Sequence, residues 1–450
     1  MMNIQRSLIT IKKVLRKYST QIKEKPVVIL DESVRQELEA EAYKPRYHPG
    51  VIKAKNIRLP DSFIEAAVNT VEDHSIKKLI EDSKKLVHHL QFRLPPVERD
   101  ELRNKTEHFQ RRVLRQSKQP EIVSEEDLKK YKQSLTDKVI FLLKKAVYHW
   151  TPTDYNEYNA LLYLFGRAAP EYAVLVKIFS EIKTRDPSFK PRSFFDFGSG
   201  IGTGTWAVNH FYKGSIFEYF NVDSSVHMND LAQILLQGGR GTKHLQLKGV
   251  FYRQFLPAAS VSYDLVLSAY TLLELPSLEA RLETLQNLWR KTACYLVLVE
   301  YGTNAGFKMI NEARDFILQM EGENKGHVFS PCPHDKVCPR FVHDNTPCNF
   351  WVSYQPLPFT RPIEQKTETY CFVILKKGKR SSEAPSWPRV VREVLVRSKH
   401  SICRLCTKEG NLQEIIFTAN KHGKTTYHCA RSSKWGDLLP ISIQNPENKD

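Results

Sequence analysis

The sequence predicts an α/β fold, in which a parallel sheet is covered by helices, and three observations support it. Short apolar segments rich in Phe, Tyr and Val recur after residue 193, helical stretches such as 277–291 lie between several of them, and a glycine-rich turn follows the first. The segments are "SFFDFG", "EYFNVD", "GVFYRQF", "YDLVLSAY" and "CYLVLVEY". Strands that alternate with helices are typical of parallel sheets. Residues 367–378 ("TETYCFVILKKG") read as a late strand that returns to the same sheet.

Four regions follow from the pattern along the chain. The first is a transit peptide, and the second combines a proline-containing extended segment with a helical region that starts near Asp61. The third is the α/β domain, and the last is a cysteine-rich, basic extension in two pieces. Their predicted bounds are 1–18, 19–150, 151–325, and 326–360 with 395–440.

The N-terminal residues have the pattern of a mitochondrial transit peptide. The first 23 residues contain six Lys or Arg and no acidic residue, and Ile4, Leu8, Ile11 and Leu15 share one helical face. An acid-poor amphipathic helix without a continuous apolar core is typical of mitochondrial import and not of secretion. We therefore expect the mitochondrial matrix, with cleavage near Tyr18. The alternative is a basic surface helix.

The charge of the chain indicates a polyanionic partner. The formal net charge is +17. Residues 193–300 carry eight Lys or Arg against nine Asp or Glu (−1), whereas residues 376–434 carry fourteen against four (+10). A near-neutral domain joined to a basic region is typical of binding to nucleic acid through the basic part. No run of about 18 apolar residues is present, so we expect no membrane-spanning helix.

The glycine stretch "DFGSGIGTG" contains an acid followed by three alternating glycines, Asp196, Gly198, Gly200 and Gly202. Neither possible register fits the dinucleotide fingerprint, because Thr203 or Thr205 stands where its last Gly or Ala belongs. The stretch instead resembles motif I of class I S-adenosylmethionine-dependent methyltransferases, which have a Rossmann-like fold. That resemblance implies a backbone turn against the amino-acid end of S-adenosylmethionine. A glycine turn that binds no ligand is the alternative.

Two further segments extend this resemblance. Asp223 in "NVDSS" follows Gly200 at a spacing suited to an acid that holds ribose hydroxyls. "DLVLSAYTLLELP" resembles the fourth strand of these enzymes and its following loop, with Glu274 in the loop. The N/D-P-P-Y/F motif of amino-methylating enzymes is absent there, and Cys294 fits the core better than a nucleophile. No catalytic residue is predicted, which favours a methyltransferase fold without transferase activity.

Seven of the eight cysteines lie after residue 330. Cys332, Cys338 and Cys348 are close together, Cys403 and Cys406 form a CxxC, Cys429 follows alone, and Cys371 fits an apolar strand. Two grouped sets of thiols in a reducing compartment indicate a metal centre more than disulfides. The spacing is compatible with zinc and with an iron–sulfur cluster. His334 and His343 are possible substitute ligands, and unliganded buried cysteines are the alternative.

These segments together with "FYRQFLP", "LWRKTACYLVLVEYGTNAGF", "PCPHDKVCP" and "YHCARSSKWGDLLP" resemble the mitochondrial methyltransferase-like assembly factors of the small mitoribosomal subunit. The resemblance covers most of the chain beyond about residue 45. It implies a [4Fe–4S] cluster on Cys332, Cys338, Cys348 and Cys406, with Cys403 left as the competing thiol of the CxxC. It also implies S-adenosylmethionine binding without transferase activity, and other assembly factors as partners.

The function predicted is that of a mitoribosome assembly factor that binds the maturing small subunit, both its rRNA and its ribosomal proteins. The first alternative is an active S-adenosylmethionine-dependent methyltransferase acting on the rRNA of this subunit. The second alternative is a zinc-stabilised scaffold that binds protein rather than RNA. A strong dependence of RNA affinity on salt concentration would argue against the scaffold.

Overall fold

The computed structural model describes residues 26–52, 56–117, 124–257, 261–322, 325–343, 346–359, 364–382 and 385–444. The transit peptide predicted for residues 1–18 lies outside these residues. The strands are β1 (Val27–Leu30), β2 (Ser193–Phe197), β3 (Glu218–Val222), β4 (Val250–Arg253), β5 (Tyr263–Ala269), β6 (Thr292–Tyr301), β7 (Gly326–Ser330), β8 (Phe350–Tyr354), β9 (Lys366–Lys377), β10 (Arg389–Val390), β11 (Leu395–Val396), β12 (Ser401–Cys406), β13 (Leu412–Phe417) and β14 (Ile441–Gln444). The helices are α1 (Glu32–Glu39), α2 (Asp61–Thr70), α3 (Ile76–Gln91), α4 (Arg99–Gln116), α5 (Glu125–Ala146), α6 (Glu157–Arg185), α7 (Thr203–Tyr212), α8 (Val226–Leu236), α9 (Leu278–Arg290), α10 (Asn304–Leu318), α11 (Pro339–His343), α12 (Ala419–His422) and α13 (Lys424–Ser432).

The main sheet has the strand order β4-β3-β2-β5-β6-β9-β7. Strands β2, β3, β4, β5 and β6 run parallel to one another. Strand β9 runs antiparallel to both of its neighbours in this order, β6 and β7. This order, with one reversed strand inside an otherwise parallel sheet, is that of class I methyltransferases, as the sequence predicted. The order reverses between β2 and β5, and ligands of open α/β sheets bind at the carboxyl ends of strands at such a switch point.

Strand β9 extends past β7 and also pairs with β8 along the same edge. Its last residues pair with β7, and its first residues pair with β8, as in Phe350 opposite Tyr370. The described residues that connect β7 to β8, 331–343 and 346–349, therefore begin and end at this edge of the sheet. The late strand expected at 367–378 is β9.

Long helices cover the sheet. Helix α6 is buried along most of its length because it packs between α3 and the elements of the sheet domain, and apolar residues fill several of its faces. Helices α4 and α5 pack against each other as a hairpin, and only Val113 and Val139 are buried in them. No helix among the described residues is long and apolar enough to cross a bilayer.

A second, smaller core lies in the C-terminal region. Strands β10 to β13 form an antiparallel sheet, and the buried residues include Leu405, Phe417 and Tyr427. The N-terminal strand β1 joins this region by pairing antiparallel with β14. Residues 26–52, expected only to be extended, thus form a strand and a helix that cover the C-terminal region.

Candidate functional site

The glycine turn connects β2 to α7 at the switch point of the sheet. Gly198, Gly200 and Gly202 have φ angles of 71°, 52° and 76°. L residues rarely adopt such angles, which glycine tolerates because it lacks a Cβ. Space also requires glycine at the first position, since a Cβ on Gly198 would lie 2.1 Å from the Oγ1 of Thr271. The turn thus brings the β2 backbone against the loop that follows β5.

Asp223 lies at the end of β3 and contacts the same turn. Its Oδ2 accepts a hydrogen bond from the backbone N–H of Gly200 at 2.9 Å, and its Oδ1 accepts one from the N–H of Ser225 at 2.9 Å. Burial raises the pKa of this carboxyl group, and the two hydrogen bonds oppose that rise. Among the predicted cofactor residues, the structure therefore brings Asp223 into direct contact with Gly200.

Asp196 lies beneath the first turn of α7. Its side chain is buried, and a Cβ on Gly204 would come within 2.2 Å of its Oδ2. Burial raises the pKa of Asp196 well above its ordinary value, and Glu171 and Asp223 add to the rise. This predicted residue thus supports the turn from below, and its carboxyl group belongs to a buried acidic group with the other two.

One face of α6 adds residues that the sequence analysis did not select. Tyr163, Arg167 and Glu171 are four residues apart, so they lie in one row on the helix. The Tyr163 hydroxyl donates to Glu171 at 2.8 Å, and Arg167 Nη1 forms an ion pair with Glu368 of β9 at 2.8 Å. The spacing of four residues was the signal in the sequence, because it places the three side chains on one face of the helix. Whether that face is buried and points to the crevice depends on how α6 packs.

The loop after β5 faces this row. Tyr270 has a φ angle of 57°, and such an angle in a bulky residue is a strained conformation that is found mainly at functional positions. The ring centroids of Tyr270 and Tyr301 lie 4.6 and 4.7 Å from the guanidinium carbon of Arg167. The two ring centroids lie only 4.7 Å apart, so both rings pack beside the guanidinium group and do not enclose it. Tyr270 belongs to the segment where amino-methylating enzymes carry N/D-P-P-Y/F.

The segment before α6 covers the crevice. The Ser225 hydroxyl donates to the backbone oxygen of Tyr155 at 2.5 Å, and the Tyr155 hydroxyl lies 3.5 Å from Glu274. Tyr158, by contrast, points away and donates to Asp82 at 2.8 Å. Tyr155 therefore closes the site between the ends of β3 and β5.

Arg93 binds the covering segment, which precedes α6, through hydrogen bonds. It is buried, it donates to the backbone oxygen of Thr151 at 2.6 Å and to the Thr153 hydroxyl at 2.9 Å, and it forms an ion pair with Glu274 at 3.0 Å. Its Nε also donates to the backbone oxygen of Leu273 at 3.3 Å. The covering segment and the loop after β5 are thus held by the same guanidinium group.

The predicted metal residues come from two parts of the fold. Cys332, Cys338 and Cys348 lie in the connection from β7 to β8, and Cys406 ends β12 of the C-terminal sheet. Burial raises the pKa values of Cys338, Cys348 and Cys406, and in each case the charge of neighbouring cysteines among the four raises it further. Cys338 and Cys406 are buried, Cys332 and Cys348 are half-buried, and the four thiols are near enough for their charges to interact.

The remaining cysteines lie elsewhere. Cys403 is fully buried in the C-terminal core, where its thiol donates to the backbone oxygen of Ala430 at 3.6 Å. Burial alone raises its pKa to about 12, without a contribution from another cysteine. Of the two CxxC thiols, the structure thus places Cys406 with the loop cysteines and Cys403 apart from them. Cys371 is buried in β9, Cys429 is buried in α13, and Cys294 is half-buried in β6.

Arg314 of α10 holds the cysteine loop. Its Nη2 donates to the backbone oxygens of His334 and Lys336 at 3.2 and 2.6 Å. The Nε2 of His334 lies 3.4 Å from the sulfur of Cys406, which brings the loop against β12. Nothing is described for the side chain of His343.

Among the described residues, no three His, Cys, Asp or Glu side chains surround a point where one metal ion could bind. Thiolates are suitable ligands of both an iron–sulfur cluster and zinc, and Arg314 lies beside the thiols, where its charge favours the thiolate form of Cys406.

Comparison with known proteins connects this geometry to a family. Residues 157–440 match the family described as mitochondrial small ribosomal subunit Rsm22. The chain belongs to the Rsm22 family. It is 38% identical over 402 residues to the human protein named "Ribosome assembly protein METTL17, mitochondrial", and the match covers 88% of this chain and 86% of that protein. These findings confirm the resemblance inferred from the sequence.

Fission yeast contains a more distant relative of this Rsm22 family chain. It is named "Rsm22-cox11 tandem protein 2, mitochondrial" from Schizosaccharomyces pombe, and it is 27% identical over 331 residues, covering 63% of this chain and 43% of that protein. Both relatives are named mitochondrial, which agrees with the predicted location.

Solved methyltransferase structures resemble the chain only weakly. The N-methyltransferase NodS from Bradyrhizobium japonicum with S-adenosyl-L-homocysteine gives a TM-score of 0.29 at 11% identity, covering 48% of this chain and 88% of NodS. The plantazolicin methyltransferase BpumL with the same product gives 0.26 at 10% identity, covering 46% and 84%. At these values the superpositions support no conclusion, and the fold assignment depends on the strand order of the sheet.

Proposed function

We propose that this protein is an assembly factor of the mitochondrial matrix that binds the maturing small mitoribosomal subunit through rRNA and ribosomal proteins, alongside other assembly factors. Its methyltransferase fold holds S-adenosylmethionine without transferring the methyl group, and a [4Fe–4S] cluster is held by Cys332, Cys338, Cys348 and Cys406. One observation supports the proposal: the sulfur of Cys406 in the C-terminal sheet lies 3.4 Å from Nε2 of His334, in the loop that contains the three other cysteines. Membership of the Rsm22 family supports the ribosomal part.

The cluster acts as a cross-link between the two cores. When bound, it supplies metal–sulfur bonds that join residues 332–348 to Cys406 across 57 intervening residues. Closing such a loop costs conformational entropy, which metal ligation offsets. Residues 376–434 carry a charge of +10, and the part of this range that follows β9 is thereby fixed in position relative to the main sheet. A fixed basic surface is suited to a phosphate backbone.

The cofactor crevice supports ligand binding more than methyl transfer. The positive φ angles of Gly198, Gly200 and Gly202 and the contact between Asp223 and the turn supply the backbone and the acid that S-adenosylmethionine requires. Asp196 supports the turn from below. Tyr270, which follows β5, packs against Arg167, and we propose no general base at this position.

The test is sedimentation of the small mitoribosomal subunit in cells that lack the native protein. The cells receive wild type, Cys406→Ala, Cys403→Ala or Asp223→Ala at matched abundance. We expect Cys406→Ala to fail and Cys403→Ala to restore the subunit, because the two cysteines share strand β12 but only Cys406 lies with the loop cysteines. Full rescue by Cys406→Ala, with the iron signal absent, would refute the cluster-held surface.

An active rRNA methyltransferase is the second candidate, and the intact glycine turn with Asp223 favours it. Mapping of methylated nucleotides in the small-subunit rRNA separates the two. If Asp223→Ala restores the subunit but removes one methyl group, the protein is an enzyme. If modification changes only when assembly itself stalls, the protein acts without transferring a methyl group.

A further inference from the structure

One connection of the parallel sheet has no helix among its described residues. The connections from β2 to β3, from β3 to β4 and from β5 to β6 contain α7, α8 and α9. Residues 254–262 join β4 to β5, and the described ones, 254–257 and 261–262, form no helix. Connections between parallel strands usually have a dozen or more residues and include a helix. The β4–β5 connection is shorter than that, so it covers less of the sheet than the other three do.

The handedness of the crossovers identifies the face that this connection crosses. From β2 to β4 the chain moves toward one edge of the sheet, and from β4 to β6 it moves toward the other. Because crossovers between parallel strands are almost always right-handed, α7 and α8 lie on one face, whereas the β4–β5 connection and α9 lie on the opposite, second face. Contacts agree, since Asn221 of β3 accepts a hydrogen bond from Thr205 of α7 at 2.9 Å. We therefore expect the half of the second face formed by β3 and β4 to be open.

The exposure of a row of phenylalanines confirms that this half is open. Phe195, Phe220 and Phe251 lie opposite one another on β2, β3 and β4, and their ring centroids are 5.8 and 6.5 Å apart in that order. Successive residues of a strand point to opposite faces, so Phe220 lies on the second face because Asn221 contacts α7. Phe195 is fully buried, Phe220 is half-buried and Phe251 is 44% exposed. The covering of the second face thus ends between β2 and β4.

The β4–β5 connection adds exposed apolar residues to this half of the sheet. Leu256 packs against the main core, whereas Phe255 beside it is 80% exposed and Val261 is also exposed. Apolar side chains that remain exposed together are typical of sites that bind another protein. Phe220, Phe251, Phe255 and Val261 form a surface that we call the open face.

The charges of the open face favour a protein over RNA as its partner. By the alternation along each strand, Glu218 lies on the same side as Phe220, and Arg253 lies on the same side as Phe251. These two charges balance, whereas surfaces that bind RNA phosphates carry several Lys or Arg. Parallel sheets are covered by helices on both faces, and an amphipathic helix has the apolar stripe that such a face requires.

We propose that the open face binds an amphipathic helix of a protein in the maturing small subunit, and that this helix takes the place of a crossover helix between β4 and β5. The proposal rests on the proposed binding to that subunit. Apolar side chains spaced three and four residues apart on the partner helix contact Phe251 and Phe255. The protein contact and the basic C-terminal contact with rRNA thus use separate surfaces of the chain.

The experiment measures binding of the purified full chain to purified precursors of the small mitoribosomal subunit and to their deproteinised rRNA. The variants are Phe255→Ser and the double variant Phe251→Ser with Phe255→Ser. The matched control is Phe92→Ser with Phe141→Ser, because these phenylalanines are 66% and 56% exposed and belong to the helical region that precedes the sheet. Thermal melting checks that each variant is folded, and Phe255→Ser should leave the melting temperature unchanged because its side chain is mostly exposed.

We expect the double variant to bind the precursors roughly 10- to 100-fold more weakly than wild type, because truncation of central aromatic side chains in a protein interface has effects of this size. Its affinity for the rRNA should be unchanged, Phe255→Ser should show a smaller loss, and the control should bind as wild type does. Unchanged binding of the precursors by the folded double variant would overturn the proposal, and so would an equal loss of rRNA affinity. Failure of wild type to bind the precursors would instead refute the proposed function.

A photo-reactive residue identifies what lies on the open face. Benzoylphenylalanine at position 255, irradiated in the complex with the precursors, should crosslink to a protein segment whose apolar residues are three and four apart. A crosslink to rRNA or to a second copy of this chain would overturn the proposal. So would the absence of any crosslink in a complex that forms with unchanged affinity.

Discussion

Arg389 and Glu181 form a buried ion pair, with Nη2 of the arginine 2.6 Å from Oε1 of the glutamate. Glu181 belongs to α6 under the main sheet, whereas Arg389 begins β10 in the C-terminal region. The same guanidinium donates to the backbone oxygens of Gly436 at 2.7 Å and Pro331 at 3.0 Å. One side chain thus joins the main sheet, the start of the cysteine loop and the C-terminal region.

Replacing Arg389 should destabilise the protein strongly. Arg389→Met leaves the Glu181 carboxylate buried without this partner, and removal of one member of a buried pair costs about 3–5 kcal/mol in the free energy of unfolding. Chemical denaturation measures this change. Arg35→Met is the control, because the Arg35–Glu32 pair is exposed and contributes about 0–1 kcal/mol. Equal effects of the two changes would contradict the role of the buried pair.

The same pair should make the stability of the protein sensitive to acid. Burial would raise the pKa of Glu181, but Arg389 and Arg185 outweigh it and lower the pKa to about 2 from an ordinary value of 4.5. The stabilisation is therefore complete above pH 4.5 and is lost as the pH falls toward 2. Urea midpoints between pH 5 and 2.5 should fall more steeply for wild type than for the double variant Arg389→Met with Glu181→Met. Parallel curves would contradict the assignment.

Protonation of His48, near the N-terminus, should make the free energy of unfolding depend on pH. Its Nε2 lies 3.0 Å from the Ser433 hydroxyl, and burial lowers its pKa to about 4 from 6.5. Because the unfolded chain binds the proton first, stability should be complete above pH 6.5 and fall by up to about 3 kcal/mol as the pH drops to 4. His48→Gln should flatten this part of the profile. An unchanged slope between pH 6.5 and 4 would show that another group is responsible.

The glycine turn predicts a sharp contrast between two Gly→Ala changes. Gly198→Ala places a Cβ against Thr271 at a φ of 71°, so we expect weaker S-adenosylmethionine binding and a decrease of about 1–3 kcal/mol in stability. Gly214→Ala is the control, since a Cβ there meets nothing within 4 Å and no positive φ is required. Titration and thermal melting of both variants measure the difference. Unimpaired binding by Gly198→Ala would exclude the turn as a cofactor contact.

The basic C-terminal surface predicts salt-dependent RNA binding. The triple change Lys399→Gln, Lys408→Gln and Lys424→Gln removes three exposed charges and should reduce affinity for small-subunit rRNA. The plot of log affinity against log salt has a negative slope. For every phosphate that these lysines neutralise, the substitution should reduce the magnitude of that slope by about one. The control is Lys213→Gln, Lys243→Gln and Lys248→Gln, three exposed lysines of the near-neutral domain. Equal decreases in affinity for both triple variants would place the RNA elsewhere.

Much of the methyltransferase-like domain was predictable because its signals are local. Alternating apolar segments fix strands, and the spacing of Gly198, Gly200 and Gly202 indicates backbone angles that few other residues adopt. Asp223 followed at a spacing set by one βαβ unit, and the structure places it on the turn. Spacing alone did not separate Cys406 from Cys403, since both belong to one CxxC, and Cys406 was implied only by the family resemblance. In β12 the two cysteines are three residues apart, so they point to opposite faces of the strand.

The sequence by itself thus determined the alternation of strands and helices, the glycine turn, the basic C-terminal charge and the family. These properties depend on residue type and on spacings shorter than one βαβ unit or one helix. Only the tertiary structure decided that the sulfur of Cys406 lies beside His334 of the loop between β7 and β8, and that Arg389 reaches Glu181. Each of these contacts joins segments far apart in the chain, and its existence depends on how the helices and the two sheets pack, which no local pattern encodes.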